Sequence, residues 1–122
     1  MPALSRIELG KLGEDLACRD LERRGYAVLA RRYRTRFGEI DIVAEDRGAI
    51  VFVEVKARRS ARYGSAAEAV SLRKRRRIGA MALDYLAWSG RLGRTCRFDV
   101  VAIDRIGSDA MTIEVITDAF QV

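Results

Sequence analysis

The sequence contains no histidine. That removes the Ser-His-Asp triad, the Cys-His pair and the histidine general base together. Zinc sites that use histidine go with it, and the two cysteines, Cys18 and Cys96, are too few for a four-cysteine site. They lie far apart and fit no metal spacing, so two reduced, buried thiols are expected. Any catalytic metal must take oxygen ligands, which favours magnesium, manganese or calcium. No apolar run approaches the roughly 20 residues of a membrane span. The opening segment, MPALSRIELGKLGEDLACRD, turns charged at once and carries neither an apolar signal core nor a small-residue cleavage site. A cytoplasmic protein with no membrane partner is the expectation.

What is present fits one domain spanning residues 1–122, long enough to bury a core without a disulfide or structural metal. Apolar residues at 49% and charged residues at 33% give the balance of a folded chain rather than a disordered one. The formal charge of +6 is concentrated. Residues 57–79 hold eight basic side chains (Arg58, Arg59, Arg62, Arg73, Lys74, Arg75, Arg76, Arg77) against one acid, Glu68, which leaves the rest of the chain near neutral. Such a stretch is the footprint of a polyanion, with nucleic acid the first candidate. The blander reading is a solvated helix face. Arginine outnumbers lysine there, which suits forked contacts to phosphate. Aromatics are sparse around the basic runs, Tyr33 and Tyr63 being the candidates, so base stacking is only weakly indicated.

Hydrophobic periodicity and turn chemistry divide the chain. Residues 5 to about 24 read as a helix with Ser5 and Glu8 forming a capping box and Gly25 stopping it. YAVLARRYRTRF, GEIDIVAE and AIVFVEVKA read as strands, the last two paired antiparallel through EDRG. RRSARYGSAAEAV is a connection. A second helix follows at about 71–88, with Ile78, Met81, Ala82, Tyr85 and Leu86 on one buried face. RFDVVAID and MTIEVITDAF complete an order α, β, β, β, α, β, β: an α/β fold with a mixed sheet and packed helices.

The second and third strands carry acids where a plain hairpin would not. By alternation, Glu39 and Asp41 share a face with Phe37 and Val43, and Glu54 and Lys56 share one with Ile50 and Phe52. If residue 45 pairs with residue 50, Asp41 lies opposite Glu54 and Glu39 opposite Lys56. Two such carboxylates about 4 Å apart repel by about 4 kcal/mol at an effective dielectric near 20. A proton, solvent or a cation would relieve that cost, and a divalent ion bridging Asp41 and Glu54 does so directly. Glu14 leaves the first helix from its small, apolar face beside Ile7, Gly10, Ala17, Cys18 and Leu21, so it needs a partner: a basic side chain or the same cation. A plain hairpin edge, with its acids in solvent and Glu39 paired to Lys56, is the competing account.

At these residues the chain resembles a known family. GEIDIVAEDRGAIVFVEVKAR, then AVSLRKRRRI and RFDVV, is similar to the YraN-like family of small bacterial proteins, and the likeness runs from GKLGEDLACRDLERRGY to ITDAF. That family is grouped with the restriction-endonuclease-like, PD-(D/E)XK superfamily and is similar to archaeal Holliday-junction resolvases. The resemblance implies a restriction-endonuclease-like α-β-β-β-α-β core. It puts the acid of the motif on Asp41, the E-x-K on Glu54 and Lys56, the helix glutamate on Glu14 and a further basic position on Lys74. Ile40 stands where many members have proline.

The expected activity is Mg²⁺- or Mn²⁺-dependent hydrolysis of nucleic-acid phosphodiesters, with branched DNA as a candidate substrate. Asp41, Glu54 and the Val55 carbonyl would hold the ion, with Glu14 completing its shell. Lys56 would act on the water or the phosphate, and Glu39 is a supporting acid. Resolvases of that type are dimers, so a homodimer is a further implication, although no residue here marks the surface. A nuclease fold that binds nucleic acid without cutting it is the alternative, and a domain docking an acidic protein is a third reading.

Overall fold

The computed structural model describes residues 4–60 and 70–122. The elements run α1 (Arg6–Arg23), β1 (Ala27–Thr35), β2 (Gly38–Asp46), β3 (Ala49–Ala57), α2 (Leu72–Trp88), β4 (Cys96–Asp104) and β5 (Thr112–Ile116). This is the expected order, the α-β-β-β-α-β core followed by one more strand. Residues 61–69, with Arg62 and Tyr63, lie outside the described residues. The last strand is shorter than MTIEVITDAF suggests. It stops at Ile116, and the chain then turns so that the Ala119 N–H donates to the Phe98 carbonyl at 2.7 Å. Phe120 is thereby delivered to the core, stacked on Phe98.

Local chemistry sets both helices. The Ser5 hydroxyl accepts from the Glu8 N–H, and the Glu8 carboxylate accepts from the Ser5 N–H, each at 3.1 Å. This reciprocal box satisfies two donors that a helix start leaves unpaired. At the other end Gly25 adopts φ +95, and Tyr26 N–H reaches back to the Leu21 carbonyl at 3.0 Å. That left-handed step closes the helix and turns the chain into β1. Ser71 caps α2 by accepting from the Lys74 N–H at 3.2 Å.

The sheet order is β1-β2-β3-β4-β5. Only β3 and β4 are parallel, and α2 makes the crossover between them. Each helix covers one face. Ile78, Met81, Ala82, Tyr85 and Leu86 of α2 pack on Ile40, Val43, Ile50, Phe52 and Val100. Ala17, Cys18 and Leu21 of α1 pack on Ile42, Val51, Val53, Val101 and Ile103. β3 is therefore buried on both faces, which explains its unbroken apolar run from Ile50 to Val53. Each such side chain contributes about 1.5–3 kcal/mol on leaving water.

Gly13 lets α1 lie close on the end of β3, because a Cβ there would sit 2.8 Å from the Ala57 Cβ. That approach brings the neighbouring Glu14 against the sheet. The thiols depart from expectation: Cys18 is buried, but Cys96 opens β4 and is exposed. Among the described residues, no helix is long and apolar enough to cross a membrane.

Candidate functional site

The hairpin register is the expected one. Arg47 (φ 52) and Gly48 (φ 85) make the tight turn, Glu45 pairs with Ile50, and the pairing continues to Ile42 opposite Val53. One step further would put Asp41 opposite Glu54, but the ladder ends there. In β3 the even residues turn their N–H groups to β4, as Ile50 does toward Thr95 and Arg58 toward Ile103. The Val55 N–H therefore points toward β2, where regular pairing would offer it the Ile40 carbonyl. It donates instead to Asp41 Oδ2 at 2.8 Å. The Val55 carbonyl points into the same gap, since N–H and C=O of one strand residue face the same neighbour.

The break has a counterpart in β1. Arg31 pairs with Ile42 and Tyr33 with Ile40, but the intervening Arg32, at φ 49, has no partner in the ladder. Strict alternation fails here: Ile42 packs toward α1, and Ile40, two residues away, packs toward α2. The expectation that Asp41 shares a regular face with Phe37 and Val43 is therefore corrected. A local irregularity at Arg32 and Asp41 turns the carboxylate to the end of the sheet. There it lines a cleft of about 870 Å³ together with Glu14, Arg32, Glu39, Val55 and Lys56.

Glu54 is buried, on the α2 side, and its Oε1 accepts from Lys74 Nζ. Lys56 Nζ lies 3.6 Å from the same oxygen. Burial, and then the charge of Glu54, pushes the Asp41 carboxyl up to about 7, against partial relief from the Val55 N–H and Lys74. Burial and the neighbouring Lys74 hold the Lys56 ammonium below its ordinary value. Burial works the same way on Lys74, but its bond to Glu54 prevails and raises its pKa. Two carboxylates and two ammonium groups thus share a poorly solvated corner.

Other expected residues divide. Glu39 does not face Lys56. It is exposed and pairs with Arg34 at 3.0 Å, because the β2–β3 ladder has already opened. Glu14 is buried and takes the basic partner: Arg32 Nε bonds both its oxygens at 3.1 and 3.0 Å, and Arg31 Nε bonds Oε1 at 3.0 Å. Arg73, Arg76 and Arg77 are exposed on α2, whereas Lys74 and Arg75 turn toward the protein. Arg75 bonds the Val70 carbonyl at 3.0 Å and lies over the Phe120 ring. Arg58 and Arg59 are exposed beyond β3, with Arg59 reaching the Leu4 carbonyl. Arg62 is outside the described residues. Tyr33 is engaged by Tyr85, Trp88 and Asp84, which weakens a stacking role for it.

Sequence reasoning passed over a buried acid. Asp99, wholly inaccessible, accepts from Tyr26 Oη, Arg97 Nε and the Asp118 N–H, each at 2.9 Å. Arg97 continues to Asp46 at 2.9 Å. Burial, then Asp99, pushes the Tyr26 hydroxyl up to about 12. The network joins the α1–β1 turn, the end of β2, the start of β4 and the segment after β5, and acts as a clip. Its signal was the Arg-x-Asp of RFDVV, an ionic pair inside an apolar strand.

Could the corner hold a metal? Among the described residues, no three carboxylates or thiols gather into a metal-holding group. Glu14 does not fit as arranged, since two guanidinium groups occupy its carboxylate. Asp41, Glu54 and the Val55 carbonyl remain, all hard oxygen donors. Such a set fits Mg²⁺ or Mn²⁺, which commonly take one or two carboxylates and leave other positions to water and phosphate.

Fold and site together define an α/β protein whose mixed sheet brings an Asp, a Glu and two Lys together where its central hairpin opens. The family model described as "Uncharacterised protein family UPF0102" matches residues 13–103, and the chain belongs to that family. It is 50% identical over 113 residues to a UPF0102 protein of Geobacter sulfurreducens, covering 93% of this chain and 88% of that one. A Rhodococcus jostii relative is 46% identical, covering 93% and 97%, and one from Symbiobacterium thermophilum is 44% identical, covering 92% and 95%. The YraN-like resemblance is thereby borne out at the level of the family.

Proposed function

We propose that this protein is a divalent-metal-dependent nuclease that hydrolyses nucleic-acid phosphodiesters, with branched DNA the first substrate to try. One observation carries the reading: half-buried Asp41 and buried Glu54 are brought together where the β2–β3 ladder ends, with Lys56 beside them. A fold gains little from burying two like charges, and a site that binds a cation gains much. Asp41, Glu54 and the Val55 carbonyl would hold Mg²⁺ or Mn²⁺. When bound, the ion supplies Lewis acidity toward a phosphoryl oxygen.

The chain's own residues do the rest. Lys56 offers an ammonium to charge developing on the phosphate, and burial and the neighbouring Lys74 hold it below its ordinary value. Val55 N–H fixes the Asp41 rotamer. Arg58, Arg59, Arg73, Arg76 and Arg77 supply exposed cations for flanking phosphates.

Branched, flapped and single-stranded substrates should be cut with Mg²⁺ or Mn²⁺, and Glu54→Ala and Lys56→Ala should abolish cutting. Cleavage of none of them, or equal cleavage by the variants, contradicts the reading. A second reading, binding without cutting, draws on the lysine contacts of Glu54 and the arginine contacts of Glu14, which neutralise those acids internally. It predicts nucleic-acid binding that is indifferent to Mg²⁺.

A further inference from the structure

Two glycines of α1 sit three residues apart, and only one is explained by packing among the described residues. Gly13 is required by Ala57, as a Cβ there would be far too close. At Gly10 an added Cβ meets nothing within 4 Å. Gly10 is mid-helix, where glycine is the poorest choice short of proline, and its backbone is not in the left-handed region. Among the described residues, no atom beyond its own helix backbone and chain neighbours needs the space. Yet Gly10 lines the same cleft as Asp41 and Lys56. An exposed helix glycine that lines a cleft, with no packing reason among the described residues, leaves room for a ligand to approach the backbone closely.

The walls say what kind of ligand. Arg6 and Lys11 flank Gly10, line the cleft and make no ion pair among the described residues. Arg34 faces them from β1, 82% exposed, and its pair with Glu39 lies in solvent, where a phosphate can displace it. Ile7 lines the cleft as well and is 72% exposed, an apolar surface left uncovered by the described residues among these cations. A duplex presents phosphates outward and has little use for an apolar wall, whereas an unpaired strand presents phosphates and base faces together.

We propose that the α1-side cleft is the channel for an unpaired nucleic-acid strand, its backbone crossing Gly10, its phosphates on Arg6, Lys11 and Arg34, and a base or sugar against Ile7. This channel is distinct from the arginine-rich start of α2. The inference rests on the nucleic-acid partner proposed above but not on the cutting chemistry.

The test is equilibrium binding of a labelled single-stranded oligonucleotide, followed by fluorescence anisotropy in EDTA so that nothing is cleaved. Gly10→Leu and Gly10→Trp should weaken binding in order of size, by about tenfold or more for tryptophan, without lowering the melting temperature. Lys11→Glu should weaken it too and lower the salt slope by about 0.7, the share of one single-strand phosphate contact. Arg19→Glu, the same charge change on α1 outside the cleft, should do far less, and blunt duplex should bind wild type more weakly than single strand. Equal binding by the Gly10 and Lys11 variants, an equal loss in Arg19→Glu, a preference for duplex, or no binding by wild type overturns the channel. If wild type cuts nucleic acid while these variants bind and cut normally, only the channel is wrong. If the variants lose binding but wild type cuts nothing, only the nuclease reading is wrong.

Discussion

Consider Asp41→Asn. Asparagine keeps the shape of aspartate and an oxygen to accept the Val55 N–H, but it never ionises. In the folded protein the Asp41 carboxyl titrates at about 7 instead of 3.8, through burial first and the charge of Glu54 second. At about 1.36 kcal/mol per pH unit, that displacement sets a ceiling of about 4 kcal/mol on what ionising Asp41 costs the fold. Asp41 is only partly buried, so water in the cleft screens some of the cost, and about 1–3 kcal/mol is expected. The folded pKa lies above the unfolded one. The cost is therefore absent below about pH 4, grows as pH rises to about 7 and is constant above. Urea unfolding should show Asp41→Asn more stable than wild type at pH 8, by a margin that shrinks steadily toward pH 4. Mg²⁺ at a hundred times its Kd should then add about 2.7 kcal/mol to wild type and nearly nothing to the variant. A margin that does not change with pH, a variant less stable than wild type at pH 8, or equal stabilisation of both by Mg²⁺ would refute the reasoning.

Lys74→Met should lower stability by about 1–3 kcal/mol, because buried Glu54 loses its closest cation, and should tighten Mg²⁺ binding measured by calorimetry, because the ion no longer competes with an ammonium. Gly13→Ala should cost about 1–3 kcal/mol in urea unfolding by forcing α1 away from Ala57. Asp99→Ala should be the most damaging, at about 3–5 kcal/mol, since it leaves Arg97 and Tyr26 without their buried acceptor, yet it should not change the Kd for Mg²⁺ in protein that still folds.

The readable parts of this molecule were local. The period-two pattern and the short polar turn made the Glu45–Ile50 register legible, because a hairpin's register follows from its turn, and that register holds as far as Ile42 opposite Val53. The helix caps at Ser5 and Gly25 were equally visible, since their partners lie within a few residues. What escaped was non-local or irregular. Nothing in ARRYRTRF marks Arg32 as the residue that leaves the ladder, so the side to which Asp41 turns could not be read. The pairing of Glu14 with Arg31 and Arg32 depends on how α1 crosses β1, and that of Lys74 with Glu54 on how α2 lies over β3. The partners of Asp99 are illegible for the same reason: Tyr26, Asp46 and Asp118 are far apart in sequence and meet around it only when the sheet has been assembled.

Anomalous diffraction from crystals soaked in Mn²⁺ tests the central claim most directly. The account predicts a manganese peak contacted by Asp41, Glu54 and the Val55 carbonyl, and its loss in Asp41→Asn. Saturating Mn²⁺ with no peak at that corner, or a peak that survives Asp41→Asn unchanged, would contradict it.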